Sequence, residues 1–360
     1  MKAIIAMLRL LRETDWRLKL NEFRLLCETV GYEIVEEVIQ TKPAPFSATL
    51  FGRGKLEEIA KIAEEKQVDV ILIWNSLSPI QRFNIEQTVK RSVMDRNDVI
   101  LEIFNKHATD AVSKLQIELA QLRRQLPYLK LWVKLRKTGE RPYTRAGGEY
   151  AWKWTWRDVR RRISLIREKI ETLRKQKLQY IKRRKEEGFK FVCLVGYFNA
   201  GKSSLFNALA RTQKAQVDSK PFTTLASKFV SIPELKNVLL VDTIGFAAGL
   251  DPRIIKSFAI NLDEMRNADM LLWVVDVSDE YDIFAFRTRA AAEVLSELKL
   301  FEKPHIVVAN KIDKDIPDIE KKIEFIGMWT NAPIIKVSAK TGKGLDELKR
   351  KINEFLLKST

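Results

Sequence analysis

The stretch Gly196-Tyr197-Phe198-Asn199-Ala200-Gly201-Lys202-Ser203 decides the reading of this chain. It fits the phosphate-binding pattern G-x-x-x-x-G-K-S, and its flanks agree with it. Phe191–Val195 is an apolar run able to form a buried strand, and Ser204–Leu209 reads as the first turns of a helix. A strand, a glycine loop and a helix N-terminus in that order bring successive backbone N–H groups to bear on an anionic phosphate. Gly196 and Gly201 let the backbone bend where a Cβ would clash, while Tyr197, Phe198, Asn199, Ala200 and Ser204 complete the cradle. Lys202 is placed to reach the β- and γ-phosphates, and the Ser203 hydroxyl to bind Mg²⁺. The loop alone does not separate ATP from GTP.

Three further segments do. The apolar run Val238–Val241 ends in Asp242-Thr243-Ile244-Gly245. There a carboxylate can hold Mg²⁺ through water and the Gly245 N–H can meet a γ-phosphate. Ile306–Ala309 leads into Asn310-Lys311-Ile312-Asp313. The Asp313 carboxylate can accept from guanine N1–H and the 2-amino group together, a donor pair that adenine lacks. Ile334–Val337 leads into Ser338-Ala339-Lys340, whose backbone can cap the base. Each motif singly has a plain structural reading, as a turn or a helix cap. Four in this order, each at the end of an apolar strand, specify a guanine-nucleotide domain with Lys202 and Gly245 among the groups at the reacting phosphate.

A chain of 360 residues is long enough for more than one core, and its 46% hydrophobic and 31% charged composition is globular. No apolar run approaches the ~20 residues of a membrane span, so none is expected. The opening Met1–Arg9 reads as a first strand rather than a secretory leader, because its apolar stretch is short. Cys27 and Cys193 sit inside apolar patterns and read as buried free thiols, which fits a cytoplasmic location. His107 and His305 are too few for a metal site. The +17 formal charge is uneven: residues 1–110 carry −1, 111–190 carry +16 and 191–360 carry +2. A localised surplus of this kind is a footprint for a polyanion.

Three parts follow from the patterning: an N-terminal α/β domain over 1–110, a basic helical hairpin over 111–187 and a P-loop GTPase domain over 188–360. In the first, Ala3–Leu8, Glu33–Ile39, Val68–Trp74 and Val99–Phe104 are expected as strands of a largely parallel sheet, with helices over Trp16–Val30, Lys55–Lys66 and Pro79–Val93. Gly52-Arg53-Gly54-Lys55 lacks the spacing and the preceding strand of a second phosphate loop. In the second part, Val112, Leu115, Leu119, Leu122 and Leu126 step by three or four up to Pro127, and Val159, Ile163, Ile166, Ile170 and Leu173 form a seam broken at Lys177. Two such helices predict an antiparallel hairpin. Its connection interleaves Trp132, Tyr143, Tyr150, Trp152, Trp154 and Trp156 with Lys134, Arg136, Lys137, Arg141, Arg145, Lys153 and Arg157. Those aromatics serve either as RNA-stacking platforms or as core. The third part predicts a mixed six-stranded sheet: strands at 190–195, 226–232, 237–242, 270–276, 304–310 and 333–337, and helices at 202–210, 252–267, 283–298 and 344–357.

Outside the nucleotide motifs the chain resembles the HflX family of ribosome-associated, translation-factor-related GTPases. The stretches that carry the resemblance are Phe51–Ile59, Asn75-Ser-Leu-Ser-Pro-Ile-Gln81 with Asn84-Ile-Glu86, Asp95-Arg96, Ile103-Phe104, Lys114–Leu122 and Leu126-Pro127. The resemblance implies association with the large ribosomal subunit and contact between the hairpin and rRNA, with Arg157-Asp158 and Arg160–Arg162 similar to the family's basic helix. Where the family commonly has Gly-Pro-Gly-Glu-Thr, this chain has Ala146-Gly147-Gly148-Glu149 and a tryptophan-rich stretch. In the first switch it has Phe222-Thr223-Thr224-Leu225, with Thr224 matching the family's Mg²⁺-binding threonine and Thr223 the alternative. Asn199 resembles the asparagine of potassium-activated GTPases, so K⁺ joins GTP, GDP and Mg²⁺ among the expected cofactors.

In Ras-type GTPases a glutamine directly after the Asp-x-x-Gly glycine orients the attacking water. Phe246 stands there and cannot, so slow basal hydrolysis and an activating group from outside, or from elsewhere in the chain, are expected. The expected protein is a monomeric, cytoplasmic, ribosome-stimulated GTPase switch. The competing reading is an RNA-binding assembly or scaffold protein in which GTP is mainly structural.

Overall fold

The computed structural model describes the chain except for residues 109, 138–155, 212–227, 244, 250–251, 256 and 359–360, and except for the side chains of 133–137, 228, 252–253 and 358. The chain divides into one compact unit of Met1–Lys106 with Lys114–Ile170 and another of His107–Ser113 with Glu171–Thr360.

The first unit begins with β1 (Lys2–Leu10), whose residues Ala3–Leu8 are all buried. A continuous apolar run of this kind belongs to a parallel strand covered on both faces. It pairs in parallel with β2 (Glu33–Lys42) and β3 (Val70–Ile73), and β3 pairs with β4 (Ser92–Asp95), giving the order β2-β1-β3-β4. The connecting helices are α1 (Trp16–Val30), α2 (Arg53–Glu65) and α3 (Pro79–Val89). The Asn-x-Leu-Ser-Pro-x-Gln segment is a structural device. Asn75 exchanges hydrogen bonds with the Leu8 backbone at 2.8 and 2.9 Å, and Ser78 and Gln81 form a capping box with Pro79 in the first turn of α3. Gln81 and Asn84 then donate to the carbonyls of Phe46 and Ala48, fixing the loop before α2.

One expected strand is a helix. Val99–Phe104 lies in α4 (Arg96–His107), and the fourth strand is Ser92–Asp95, which the expected helix Pro79–Val93 overran. Val99, Ile100, Leu101, Ile103 and Phe104 are all buried, and a short run apolar on every side carries no period that separates strand from buried helix. The cue is the cap: Asp95 accepts from the N–H groups of Asn97 and Asp98 at 2.9 and 3.1 Å, and Asp98 accepts in return from the Asp95 N–H at 3.1 Å.

α5 (Ala111–Lys137) runs through Pro127, although Pro127 was expected to end it. A proline inside a helix removes one backbone hydrogen bond and crowds the preceding turn. Contacts on either side of it keep the helix going. Arg124 grips Asp95 and Asp98, Tyr128 donates to Glu86 and lies beneath the Arg82 guanidinium, and Leu129 is buried. α6 spans Trp156–Glu186, and its seam residues Val159, Ile163, Ile166 and Ile170 are buried as expected. Within the second unit, the seam's interruption Lys177 pairs with Glu264 at 3.1 Å and lies 4.0 Å from the Phe229 ring.

The second unit contains β5 (Lys190–Gly196), α7 (Lys202–Ala210), β6 (Lys228–Ser231), β7 (Val238–Asp242), α8 (Pro252–Ile255), α9 (Ala259–Asn267), β8 (Met270–Asp276), α10 (Tyr281–Glu297), β9 (His305–Asn310), α11 (Ile319–Gly327), β10 (Ile334–Lys336) and α12 (Leu345–Lys358). The sheet is mixed and six-stranded, ordered β10-β9-β8-β5-β7-β6, with β6 antiparallel to β7. The helix expected over 252–267 is two helices, and α11 was not expected. Lys322 occupies a core position of α11, buried and donating to the carbonyls of Val277 and Asp279, and this masks the helical period. The order places β7 and β8 on opposite sides of β5, so the connection after β5 leaves at the sheet's switch point, where open α/β folds bind ligands.

Candidate nucleotide-binding site

β5 delivers Gly196 to the switch point with φ +144°, and Gly201 caps α7 with φ +90°. A Cβ on Gly196 would lie 2.3 Å from the Val274 carbonyl oxygen, and one on Gly201 would lie 2.2 Å from the Asn310 amide nitrogen. Neither position admits another residue. Asn199 also adopts a positive φ, 59°.

Lys202 is buried at the start of α7, and its ammonium donates to the carbonyls of Gly196 and Tyr197 at 3.2 and 2.7 Å. Burial lowers its pKa to about 8; the neighbouring Lys311 adds to the lowering and the Asp242 carboxylate opposes it. Ser203 donates to the fully buried Asp242 at 2.8 Å, which joins the first turn of α7 to the end of β7. Thr243 donates to the Leu194 carbonyl, so its hydroxyl secures the two strands rather than facing the loop. Gly245 packs on Lys202 and Phe198, where an added Cβ would come within 2.9 Å of the ammonium nitrogen.

Phe246 is buried, and its backbone forms a parallel bridge with the phosphate loop. Its N–H donates to Gly196 at 3.0 Å, its carbonyl accepts from the Phe198 N–H at 2.8 Å, and the Tyr197 hydroxyl accepts from the Ala248 N–H at 2.7 Å.

On the base side, Asn310 bridges two loops, donating to the Ala200 carbonyl at 2.9 Å and accepting from the Ala339 N–H at 3.1 Å. Lys311 donates to the Asn199 carbonyl at 2.9 Å and pairs with Asp276 at 2.5 Å. Asp313 is exposed at the mouth of the cleft and accepts from Ser338 at 2.7 Å; that bond, above all, holds its carboxyl below the ordinary range. Asn310, Lys311 and Asp313, with Ser204, Ala339 and Lys340, line a cleft of about 1,020 Å³. Phe222, Thr223 and Thr224 lie outside the described residues, as do Tyr143, Tyr150, Trp152 and Trp154. Among the described residues no cluster of His, Cys, Asp and Glu could hold a metal ion by itself.

The sequence reading missed Asp276 and, in the cleft wall, Asn207, Arg211 and Lys314. Asp276 had a signal: it ends the apolar strand Met270–Val275 just as Asp242 ends Val238–Val241. The three wall residues lie on or just after α7 and in the turn after β9, where no motif marks them.

Comparison with known proteins agrees with this geometry. Three family profiles match: one described as GTP-binding GTPase N-terminal over residues 17–105, one as GTP-binding GTPase Middle Region over 107–184, and one as 50S ribosome-binding GTPase over 191–311. The chain is 35% identical to GTPase HflX of Thermococcus kodakarensis, across 95% of this chain and 78% of that protein. It is 36% identical to GTPase HflX of Thermofilum pendens, across 99% of this chain and 84% of that one. A crystal structure of SsGBP in complex with GDP superposes with a TM-score of 0.51 at 25% identity, covering 98% of each chain. No helix among the described residues is long and apolar enough to cross a membrane.

Proposed function

The chain belongs to the HflX family of GTPases, and from that premise we propose that it is a GTP-dependent switch that acts on the large ribosomal subunit through its basic helices. The three-part division at 110 and 187 is then functional: a scaffold, an RNA-contacting hairpin and a GTP-hydrolysing domain. In the last, Lys202 and the loop N–H groups of residues 196–204 hold the β- and γ-phosphates. Asp313 selects guanine, with Asn310, Lys311, Ser338, Ala339 and Lys340 shaping the base pocket.

Ser203 and Asp242 offer Mg²⁺ a hydroxyl and a carboxylate, hard oxygen donors of the type it prefers, and already lie 2.8 Å apart. Thr224 completes the set, with Thr223 the alternative, and the ion would neutralise charge on the β- and γ-oxygens. Asn199, with its positive φ, is the residue to test for K⁺. Gly245 reads the γ-phosphate. Phe246, buried with its backbone tied to the loop, supplies no group to the attacking water. Acceleration therefore comes from outside the nucleotide domain.

The observation that carries the ribosomal part is the +16 charge of residues 111–190 in a chain otherwise near neutrality. Sedimentation of ribosomal subunits with the protein bound to GTP, GDP or a non-hydrolysable analogue tests it. Co-sedimentation with the large subunit, strongest with the analogue, is expected. Absence of binding in every nucleotide state would refute the proposal.

A further inference from the structure

The turn that ends β8 gathers three cations. Lys311 pairs with Asp276 at 2.5 Å, Arg287 of α10 pairs with Asp279 at 2.7 Å, and the buried Lys322 of α11 donates to the carbonyls of Val277 and Asp279 at 2.9 and 2.6 Å. The Ser278 hydroxyl and N–H also donate to Asp276, at 2.7 and 3.0 Å. Burial, and then the charge of Asp276, push the Asp279 carboxyl up, and the Arg287 guanidinium opposes them. Lys311 belongs to the base pocket and Lys322 to the core. Arg287 has a further neighbour, the phosphate loop.

Its guanidinium carbon lies 5.9 Å from the centre of the Tyr197 ring and 5.7 Å from that of Phe198. The two rings are 4.9 Å apart, both are buried, and with Arg287 and Asp279 they line a cavity of about 10 Å³. A space of that size is at the lower limit for a single water, so the contact is poorly screened. A cation over an aromatic face is attracted by the ring quadrupole, the more so where water is excluded. Arg287 thus holds residues 197 and 198, while Lys311 and Asn310 hold the next two through the carbonyls of Asn199 and Ala200. The two halves of the loop differ in what they carry. The Phe198 N–H is spent on the Phe246 carbonyl, the Phe246 N–H returns to Gly196, and the Tyr197 hydroxyl accepts from the Ala248 N–H. Residues 196–198 therefore anchor the backbone that directly follows Gly245, and Gly245 itself packs on Phe198.

We propose that Arg287 is a positioning residue for GTP. It fixes the Tyr197–Phe198 half of the phosphate loop, and through it the Gly245–Ala248 backbone, in the form that reads a γ-phosphate. The inference rests on Gly245 as the γ-phosphate contact and needs no ribosome. Loss of Arg287 penalises nucleotides that carry a γ-phosphate and spares GDP, whose β-phosphate is held by the half of the loop that Lys311 and Asn310 anchor. An arginine that merely stabilised the domain would affect both nucleotides alike.

The test measures equilibrium binding of GDP and of a non-hydrolysable GTP analogue, with Mg²⁺, to the full chain and to its Arg287→Gln variant. Analogue affinity is expected to fall at least about fivefold, the size of one cation–π contact partly shielded from water. GDP affinity is expected to change less than about twofold, as for an ordinary surface substitution. Equal losses for the two nucleotides, or no loss for either, would overturn the proposal. Phe198→Leu removes a ring and leaves Arg287 with Asp279, so it reads the same step even if Arg287→Gln fails to fold. It should show the same selective loss, and the double variant should lose no more than the larger single loss, because each change breaks the same contact. Additive losses, or a Phe198→Leu variant with its parent's preference, would also overturn it. Gly245→Ala separates this inference from the reading beneath it, since the added Cβ would come within 2.9 Å of the Lys202 ammonium nitrogen. If Gly245→Ala leaves analogue affinity intact, the γ-phosphate reading fails and the proposal falls with it. If Gly245→Ala lowers that affinity and Arg287→Gln does not, only the proposal falls.

Discussion

Asn310 and Asp313 stand three residues apart and do different work. Asn310 clamps the phosphate loop to the base loop, whereas Asp313 points a carboxylate at the cleft. Asp313→Ala is therefore expected to weaken GTP binding by more than ~1 kcal/mol, since charge-assisted hydrogen bonds contribute roughly 1.5–3 kcal/mol, and to erase the preference over ATP. Competition binding with both nucleotides checks this, and a parent that binds ATP and GTP equally well would defeat the assignment. Lys202 gives a pH prediction. Its pKa of about 8 without nucleotide must rise when phosphates surround it. Below that value the lysine is already charged and affinity should be flat. Above it, binding must take up a proton, and affinity should fall by up to about tenfold per pH unit. Calorimetry in buffers of different ionisation enthalpy would detect the proton, and an affinity independent of pH up to about 10 would rule the effect out. At this scale the sequence was most legible, because phosphate and guanine recognition demand particular residues at short, fixed spacings. Asp276 escaped notice because its partner Lys311 is distant in sequence and the pairing exists only once β8 and β9 lie side by side.

The helices were less legible than the loops, and the reasons are physical. Val99–Phe104 is an almost unbroken apolar run because α4 is buried along that stretch, so its period is invisible and only the Asp95 cap betrays it. Pro127 reads as a stop signal, yet the contacts of Arg124 and Tyr128 outweigh its local cost. Lys322 reads as surface but is core. The Arg124 contact is testable. Arg124→Ala removes the partner of the buried Asp95, which keeps backbone N–H donors from Leu77, Asn97 and Asp98. Because those donors remain, the expected loss is about 1–3 kcal/mol, below the roughly 3–5 kcal/mol of a fully orphaned buried charge. Urea unfolding followed in the first unit measures it. A loss under about 0.5 kcal/mol, the size of an ordinary surface substitution, would show that α5 is held by its apolar contacts alone.

Across the whole molecule, the fold class was legible from the order of apolar runs and loops, and the mixed six-stranded sheet formed as expected. Charge was legible too, but only as a sum. Which cations meet a carboxylate is decided by packing, as the pairing of Arg162 with Glu118 shows. Phe246 lies buried where a water-orienting side chain would otherwise stand, and the proposed consequence is that GTP hydrolysis waits for a group supplied by the ribosome. The direct measurement is steady-state GTP hydrolysis by the purified protein, alone and with large ribosomal subunits. Basal turnover should be slow and should rise at least about tenfold with the subunit, a small part of the roughly 10³–10⁵ that a supplied transition-state group can contribute. A basal rate already fast, and unchanged by the subunit, would place the catalytic group within the chain and contradict the account.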